Sequence, residues 1–218
     1  MRLLNKEKIN KALTPKIVDA RVAQVFNSFK NVLVTSSFGT TSAVLLHIIS
    51  RIKPECPIYF IDTGYHFKET LQYKEQLTRL LNLNVVTLKP DPSRYMTTQA
   101  QQMWAKNSEA CCEINKIEPL KKIKFNYQVW VSGLIGYQNG HRSTLSILED
   151  RPDILKFYPL IDWNKSLVDE YIENHGLPFH PLVYQGYHSV GCTHCTVPGV
   201  GRNGRWSESS KTECGLHR

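Results

Sequence analysis

The chain has 218 residues, 41% of them hydrophobic, enough for one domain with a sizeable core. No stretch approaches the roughly 18 to 20 apolar residues of a membrane span, and residues 1–8 lack the apolar core of a secretory leader, so a cytoplasmic protein is expected. The net charge of +8 suggests an anionic partner. Its basic residues are dispersed, so a small anionic substrate fits as well as a nucleic acid.

In chain order, residues 31–36 read as a buried strand, followed by a Ser/Gly/Thr turn and an apolar helix over 42–52. Residues 57–61 form a second strand ending at Asp62-Thr63-Gly64, and a helix covers 68–81. Residues 84–88 and 128–132 supply two more strands, and 155–159 a fifth. Strands separated by helix-length segments imply right-handed crossovers, hence an α/β fold with a mostly parallel, helix-covered sheet. Ligands of such sheets sit beyond the carboxyl ends of the strands. Three small, polar loops occupy those positions: residues 36–42, Asp62-Thr63-Gly64, and 133–142. The first combines hydroxyls with a helix N-terminus, which suits a phosphate. It lacks the Gly-Lys-Ser/Thr ending of a Walker A loop, and Ser/Thr/Gly turns before helices are also ordinary caps.

Six cysteines in a chain read as cytosolic favour metal binding or redox chemistry over a disulfide framework. Cys111-Cys112 and Cys192-x-x-Cys195 make a four-thiol set that suits a tetrahedral zinc or a [4Fe–4S] cluster. Neighbouring helical side chains diverge by about 100°, so an adjacent pair straddles a wide cluster more easily than it chelates one ion. Cys56, between Glu55 and Pro57, reads as structural. Cys214 lies among Lys, Thr, Glu, Gly and His near the end of the chain, a setting for a reactive thiolate rather than a core thiol.

Taken together, these motifs resemble the assimilatory sulfonucleotide reductases, the adenylyl-sulfate and phosphoadenylyl-sulfate reductase family. The resemblance runs in order through Ser37-Phe38-Gly39, Asp62-Thr63-Gly64, Cys111-Cys112-x-x-x-Lys116-x-x-Pro119, Trp130-x-x-Gly133 and Gln138-x-x-x-Arg142. It continues through Gly191-Cys192-x-x-Cys195-Thr196 and Arg202-x-x-Arg205-Trp206 to the terminal Glu213-Cys214-Gly215-Leu216-His217.

The resemblance implies an ATP-pyrophosphatase-like (Rossmann-like) fold over residues 1–188 and a functional carboxyl-terminal segment over 189–218 with a mobile tail. It also implies reduction of activated sulfate to sulfite, with thioredoxin or a glutaredoxin-like protein as donor, and self-association. Cys214 would attack the sulfate sulfur. Lys116, Arg202, Arg205, His217 and Arg142 would receive the phosphosulfate. Ser36, Ser37, Phe38 and Gly39 would line the nucleotide phosphate, and Asp62, Thr63 and Gly64 would approach the adenosine. Members with both cysteine pairs bind a [4Fe–4S] cluster, here on Cys111, Cys112, Cys192 and Cys195, and mostly use adenosine 5′-phosphosulfate. Those without them mostly use the 3′-phosphorylated nucleotide.

Three positions depart from the family pattern: Ile135-Gly136 where arginines are usual, Thr40-Thr41-Ser42 where acidic residues are common, and Asn115 where a basic residue often precedes the lysine. The competing readings are a phosphoadenylyl-sulfate or dual-specificity reductase, an ATP pyrophosphatase of tRNA modification, and a zinc-stabilised nucleic-acid-binding protein. The second would want an Asp in the first loop, which is absent there.

Overall fold

The computed structural model describes residues 6–207 and 211–217. Residues 1–5, read above for a leader, residues 208–210 of the tail and Arg218 lie outside the described residues.

Two helices, α1 (Lys6–Leu13) and α2 (Val18–Ser28), precede the first strand. Then β1 (Val32–Thr35), α3 (Ser42–Ile52), β2 (Pro57–Ile61), α4 (Lys68–Leu80) and β3 (Asn84–Leu88) alternate, as the sequence indicates. A helical stretch follows: α5 (Pro92–Ala100), α6 (Met103–Lys106), α7 (Ser108–Cys112), a π turn over Glu113–Ile117, and α8 (Glu118–Lys124). After β4 (Val129–Val131) come α9 (Gly140–Ser143), β5 (Leu148–Asp150), β6 (Leu155–Phe157) and α10 (Lys165–Asn174).

The six strands lie in the order β3-β2-β1-β4-β6-β5, all parallel except the β5–β6 pair. Strands β1 and β4 are central, and Val32, Leu33, Val34, Val129, Trp130 and Val131 are all buried. Covered on both faces, such strands have no polar side to show, which is why they read as continuous apolar runs. Helix α3 is apolar almost all round and buries Ala43, Val44, Leu45, Leu46, Ile48 and Ile49. Helix α4 buries only Thr70, Tyr73 and Leu77, one stripe at spacings of three and four.

The short edge strand β5 escapes a sequence reading because three residues show no periodicity. Its backbone is covered from α1: Asn10 Nδ2 donates to the Leu148 carbonyl at 3.0 Å, and Leu148 N–H donates to Asn10 Oδ1 at 2.8 Å.

One core packs α2, α3, α4 and α10 against the sheet, and a smaller one gathers Leu33, Leu120, Trp130 and Ile154. Leu216, from the end of the chain, packs on the smaller core beside Tyr59 and Ile61. The tail that the sequence reading leaves mobile is therefore docked in its described part. Lys211, Glu213 and His217 are buried and Cys214 is half-buried.

Candidate active site

A cleft opens at the carboxyl ends of β1, β2 and β4, where the topology calls for one. Its floor is Thr35, Ser36, Ser37, Gly39, Thr40, Thr41 and Ser42, together with Ile61, Thr63, Ser132 and Gly133. Thr41, the N-cap of α3, makes no side-chain cap bond, so the helix presents its N-terminal end to the cleft. Unsatisfied N–H groups and the helix dipole favour an anion there.

The opposite wall comes from the π turn, from α9 and from the carboxyl-terminal segment. Lys116, Arg142, Arg202, Arg205, Cys214 and His217 all line the cleft. Gly191 permits this closure, because a Cβ there would lie 2.1 Å from Arg205 Nη2. The Arg205 guanidinium sits 4.5 Å from the Trp206 ring centre, with Arg202 at 5.8 Å and Lys211 at 5.2 Å from the same ring. One indole thus organises three cations.

The electrostatics follow from crowded positive charge. Burial, then repulsion from Arg142 and Arg205, pushes Arg202 down to about 9. An incoming anion relieves that repulsion. Lys116 loses hydration, yet Cys192, Cys112 and Cys214 outweigh this loss and hold its ammonium above the ordinary lysine value. Burial, then repulsion from Arg142, Lys156 and Arg202, drives His217 far below the ordinary imidazole value. This favours a neutral His217 ring in the cleft. It stacks on Trp130 at 5.0 Å and offers the cleft a ring nitrogen rather than a charge.

Arg202 Nε, Arg205 Nε and His217 Nδ1 are buried and have no hydrogen-bond partner among the described residues. Buried polar atoms left unpaired are costly. Three on residues lining one cleft mark where an anion's oxygens belong.

The four cysteines of the sequence reading come together beside this wall. Cys111 and Cys112 end α7, and Cys192 and Cys195 bracket a 3₁₀ turn over Thr193–Cys195. Cys111, Cys192 and Cys195 pack with Tyr65, Tyr95, Met103 and Trp104, while Trp104 and His194 stack at 4.0 Å. Burial pushes the Cys111 thiol up to about 11, with the charges of Cys112, Cys192 and Cys195 adding to it, so the four sulfurs feel one another.

Donors face three of the four sulfurs. Asn115 Nδ2 lies 3.5 Å from Cys111 Sγ, Lys211 Nζ 3.4 Å from Cys112 Sγ, and Thr63 Oγ1 3.5 Å from Cys192 Sγ. Burial works against a Cys192 thiolate, but Lys116, Thr63 and Arg205 prevail and its thiol titrates below the ordinary value. The surroundings of Cys192 thus favour a thiolate, whereas burial, with the charge of Cys192 adding to it, also holds the Cys195 thiol above the ordinary value. Among the described residues no three His, Cys, Asp or Glu side chains form a ready site for a single ion.

Three residues assigned to the nucleotide do not line the cleft. Phe38 is fully buried and packs edge-on against Phe60 at 5.6 Å, with a left-handed backbone at φ 50°. It shapes the loop through its N–H, which donates to Ser36 Oγ at 3.1 Å. Asp62 faces an outer groove with Lys68 and Lys89, and its carboxylate accepts the Gly64 N–H at 3.0 Å. Gly64 lies under the Tyr95 side chain, whose hydroxyl donates to its carbonyl at 3.3 Å.

The phosphoadenosine phosphosulfate reductase domain matches residues 31–198. The chain belongs to that family. A phosphoadenosine 5′-phosphosulfate reductase of Klebsiella pneumoniae is 36% identical, over 99% of this chain and 93% of its own. An adenosine 5′-phosphosulfate reductase of Bacillus mycoides is 38% identical, over 88% of this chain and 86% of its own. Among solved structures, phosphoadenylyl-sulfate reductase from Candida auris superposes with a TM-score of 0.78 at 26% identity, covering 89% of this chain and 98% of that one. An FMN adenylyltransferase of Candida glabrata, at 17% identity and TM-score 0.54, covering 78% of this chain and 57% of that one, shares the fold alone. The fold is ATP-pyrophosphatase-like, and the chain is a sulfonucleotide reductase, an oxidoreductase of sulfate assimilation.

For a reductase of this family, the sequence reading leaves Glu213 without a role. It is the acidic member of an otherwise cationic wall, and its carboxylate meets Arg142, Arg202 and Asn139. A carboxylate next to the candidate nucleophile in a basic site is itself a signal, since it repels the substrate unless something neutralises it.

Proposed function

We propose that this reductase converts adenosine 5′-phosphosulfate to sulfite and AMP, with Cys214 as nucleophile and a protein dithiol of the thioredoxin or glutaredoxin type as reductant. One observation carries the reading: Cys214 lines the same cleft as Lys116, Arg202 and Arg205, opposite the N-terminal end of α3.

The nucleotide phosphate sits on the loop 36–42 and α3, leaving the sulfo group against the cationic wall. The Cys214 thiolate attacks the sulfate sulfur and forms an S–S bond. The S–O bond to the phosphate breaks, and AMP departs with that electron pair. Lys116, Arg205 and the free Arg202 Nε stabilise charge on the sulfo oxygens and the bridging oxygen, and neutral His217 donates or accepts one hydrogen bond. A donor thiolate then attacks Cys214 Sγ, sulfite leaves with the bonding pair, and the donor's second thiol frees Cys214. Sulfur gains two electrons and the donor's two thiols become a disulfide.

Cys111, Cys112, Cys192 and Cys195 would hold a [4Fe–4S] cluster, a reading supported by four neighbouring sulfurs, three of them with hydrogen-bond partners. Such a cluster would supply a fixed negative centre, and Lys116 and Lys211 already stand toward the cysteines that would hold it. In this reading residues 189–218 act as the catalytic segment, the enzyme is cytoplasmic, and it self-associates.

The unphosphorylated nucleotide is favoured because Ile135 and Gly136 extend no cation into the cleft. Ile135 is fully buried in the main core, and a Cβ at Gly136 would lie 2.6 Å from the Ile161 carbonyl oxygen. The test is sulfite release by anaerobically purified protein with thioredoxin on the 5′-phosphosulfate and its 3′-phosphorylated form, with Cys214→Ser as control. Strong preference for the first, abolished in the variant, supports the proposal. Preference for the second overturns the assignment of substrate, and sulfite release by the variant overturns that of the nucleophile.

A further inference from the structure

Glu213 immediately precedes the candidate nucleophile, and its side chain is only 3% exposed. Arg142 Nε and Nη2 donate to its two oxygens, the latter at 3.0 Å, and Arg202 Nη2 and Asn139 Nδ2 each donate at 3.0 Å. Four N–H groups on two oxygens come close to filling a carboxylate's accepting capacity. Further donors of the two arginines are also engaged. Arg142 Nη1 bonds Gln138 Oε1, while Arg202 Nη1 bonds Ser189 Oγ at 3.3 Å and Arg202 Nη2 bonds the Thr212 carbonyl at 3.2 Å. Arg142 comes from α9 on the body, Arg202 from the glycine-rich loop, and Glu213 from the tail. One carboxylate ties the three together.

We propose that Glu213 is a positioning residue: by occupying the Arg142–Arg202 pair it holds Cys214 inside the cleft. The proposal rests on reading Cys214 as the nucleophile. It also redistributes the cations. Arg142 and most of Arg202 serve the tail, and the sulfo group is received by Lys116, Arg205 and Arg202 Nε. Since Glu213 takes up part of the guanidinium charge rather than adding to it, an anionic nucleotide does not need Glu213 in order to bind. The carboxylate matters for where the thiol stands, so its loss separates nucleophile placement from nucleotide affinity.

The experiment follows alkylation of Cys214 by iodoacetamide, read by mass spectrometry on the whole anaerobically purified chain, in wild type, Glu213→Gln and Glu213→Asp. Charge-assisted bonds of this kind bring the expected rise in Cys214 labelling for Glu213→Gln to about tenfold or more, with Glu213→Asp in between. AMP affinity, measured in the Cys214→Ser background, is expected to fall by no more than about twofold when Glu213→Gln is added, because the change removes a negative charge from the cleft wall. Equal labelling rates in all three proteins overturn the proposal, and so does a tenfold loss of AMP affinity.

Cys56 monitors folding within each sample, because it is buried and burial pushes its thiol up to about 12. Should Glu213→Gln expose Cys56, Glu213→Asp decides. Faster Cys214 labelling with Cys56 silent supports the latch, and unchanged labelling sinks it. If the wild type reduces neither nucleotide, the functional reading fails, while the labelling still decides whether the latch exists.

Discussion

At the scale of single residues, the cleft divides its cations by role. Lys116 faces the thiols of Cys192, Cys112 and Cys214, which keep its ammonium charged despite desolvation. Lys116→Met is therefore expected to slow formation of S-sulfocysteine on Cys214 by about 100-fold or more, the scale of a lost oxyanion donor. Lys116→Arg should recover part of that rate; quenched single-turnover reactions analysed by mass spectrometry read both. His217 makes a different prediction. Burial, then the surrounding guanidiniums and Lys156, keep its ring neutral. Replacing it by Asn should lower the single-turnover rate yet leave the shape of the pH profile between pH 6 and 7 unchanged. A break that disappears in the variant would show that His217 titrates during the reaction. Residue types were legible here because sulfuryl chemistry demands a thiol and cations. The protonation of His217 was not, since it depends on three distant cations that only folding brings around one ring.

At the scale of elements, the carboxyl-terminal tail and the cysteine-bearing helix α7 are tied by the Lys211 side chain. Lys211 Nζ reaches the Ser108 carbonyl at 3.0 Å, Glu109 at 3.4 Å and Cys112 Sγ at 3.4 Å, spanning from the tail to α7. Lys211→Met keeps the stem but removes the donor. It should change the visible spectrum of a bound cluster and raise Cys214 alkylation together, whereas an unlinked tail would change only one of the two.

The β4–α9 loop argues the other way. Restoring a basic residue by Ile135→Arg would place an unpaired charge in the main core, at a site with no solvent access. Such a burial costs enough to lower the melting temperature by about 10 °C or more, and should add no affinity for a 3′-phosphate. Strands and crossover helices were legible because burial on both faces writes itself as apolar runs. The π turn carrying Lys116 and Asn115 was not, because its conformation records how α7 and α8 join rather than any local preference.

For the molecule as a whole, acid sensitivity has a locatable source. His180 is fully buried, its Nε2 3.0 Å from Thr70 Oγ1, and burial pushes its imidazole down to about 4, with Glu69 opposing. Between its ordinary value of 6.5 and about 4, the unfolded chain binds a proton that the folded chain excludes. Stability therefore falls as pH drops through that window. Thermal unfolding at pH 7.5 and 5 should show a smaller acid loss in His180→Asn than in wild type, and equal losses would place the acid sensitivity elsewhere. Length, charge and strand pattern made the architecture readable from the chain. The docking of residues 211–217 was not readable, because a hydrophilic tail shows no periodicity and its partners Arg142, Lys156 and Ser108 lie far away in sequence.

The pairing of Asn10 with the backbone of Leu148 carries a consequence for life in a crowded solution. An open row of amides on β5 would recruit a strand from any neighbouring molecule. By mimicking one peptide unit with a side-chain amide, Asn10 occupies the Leu148 position of that row and denies it to another chain. One point at which a foreign strand could begin to pair is thus closed by a polar residue of the first helix, on the opposite edge of the sheet from β3.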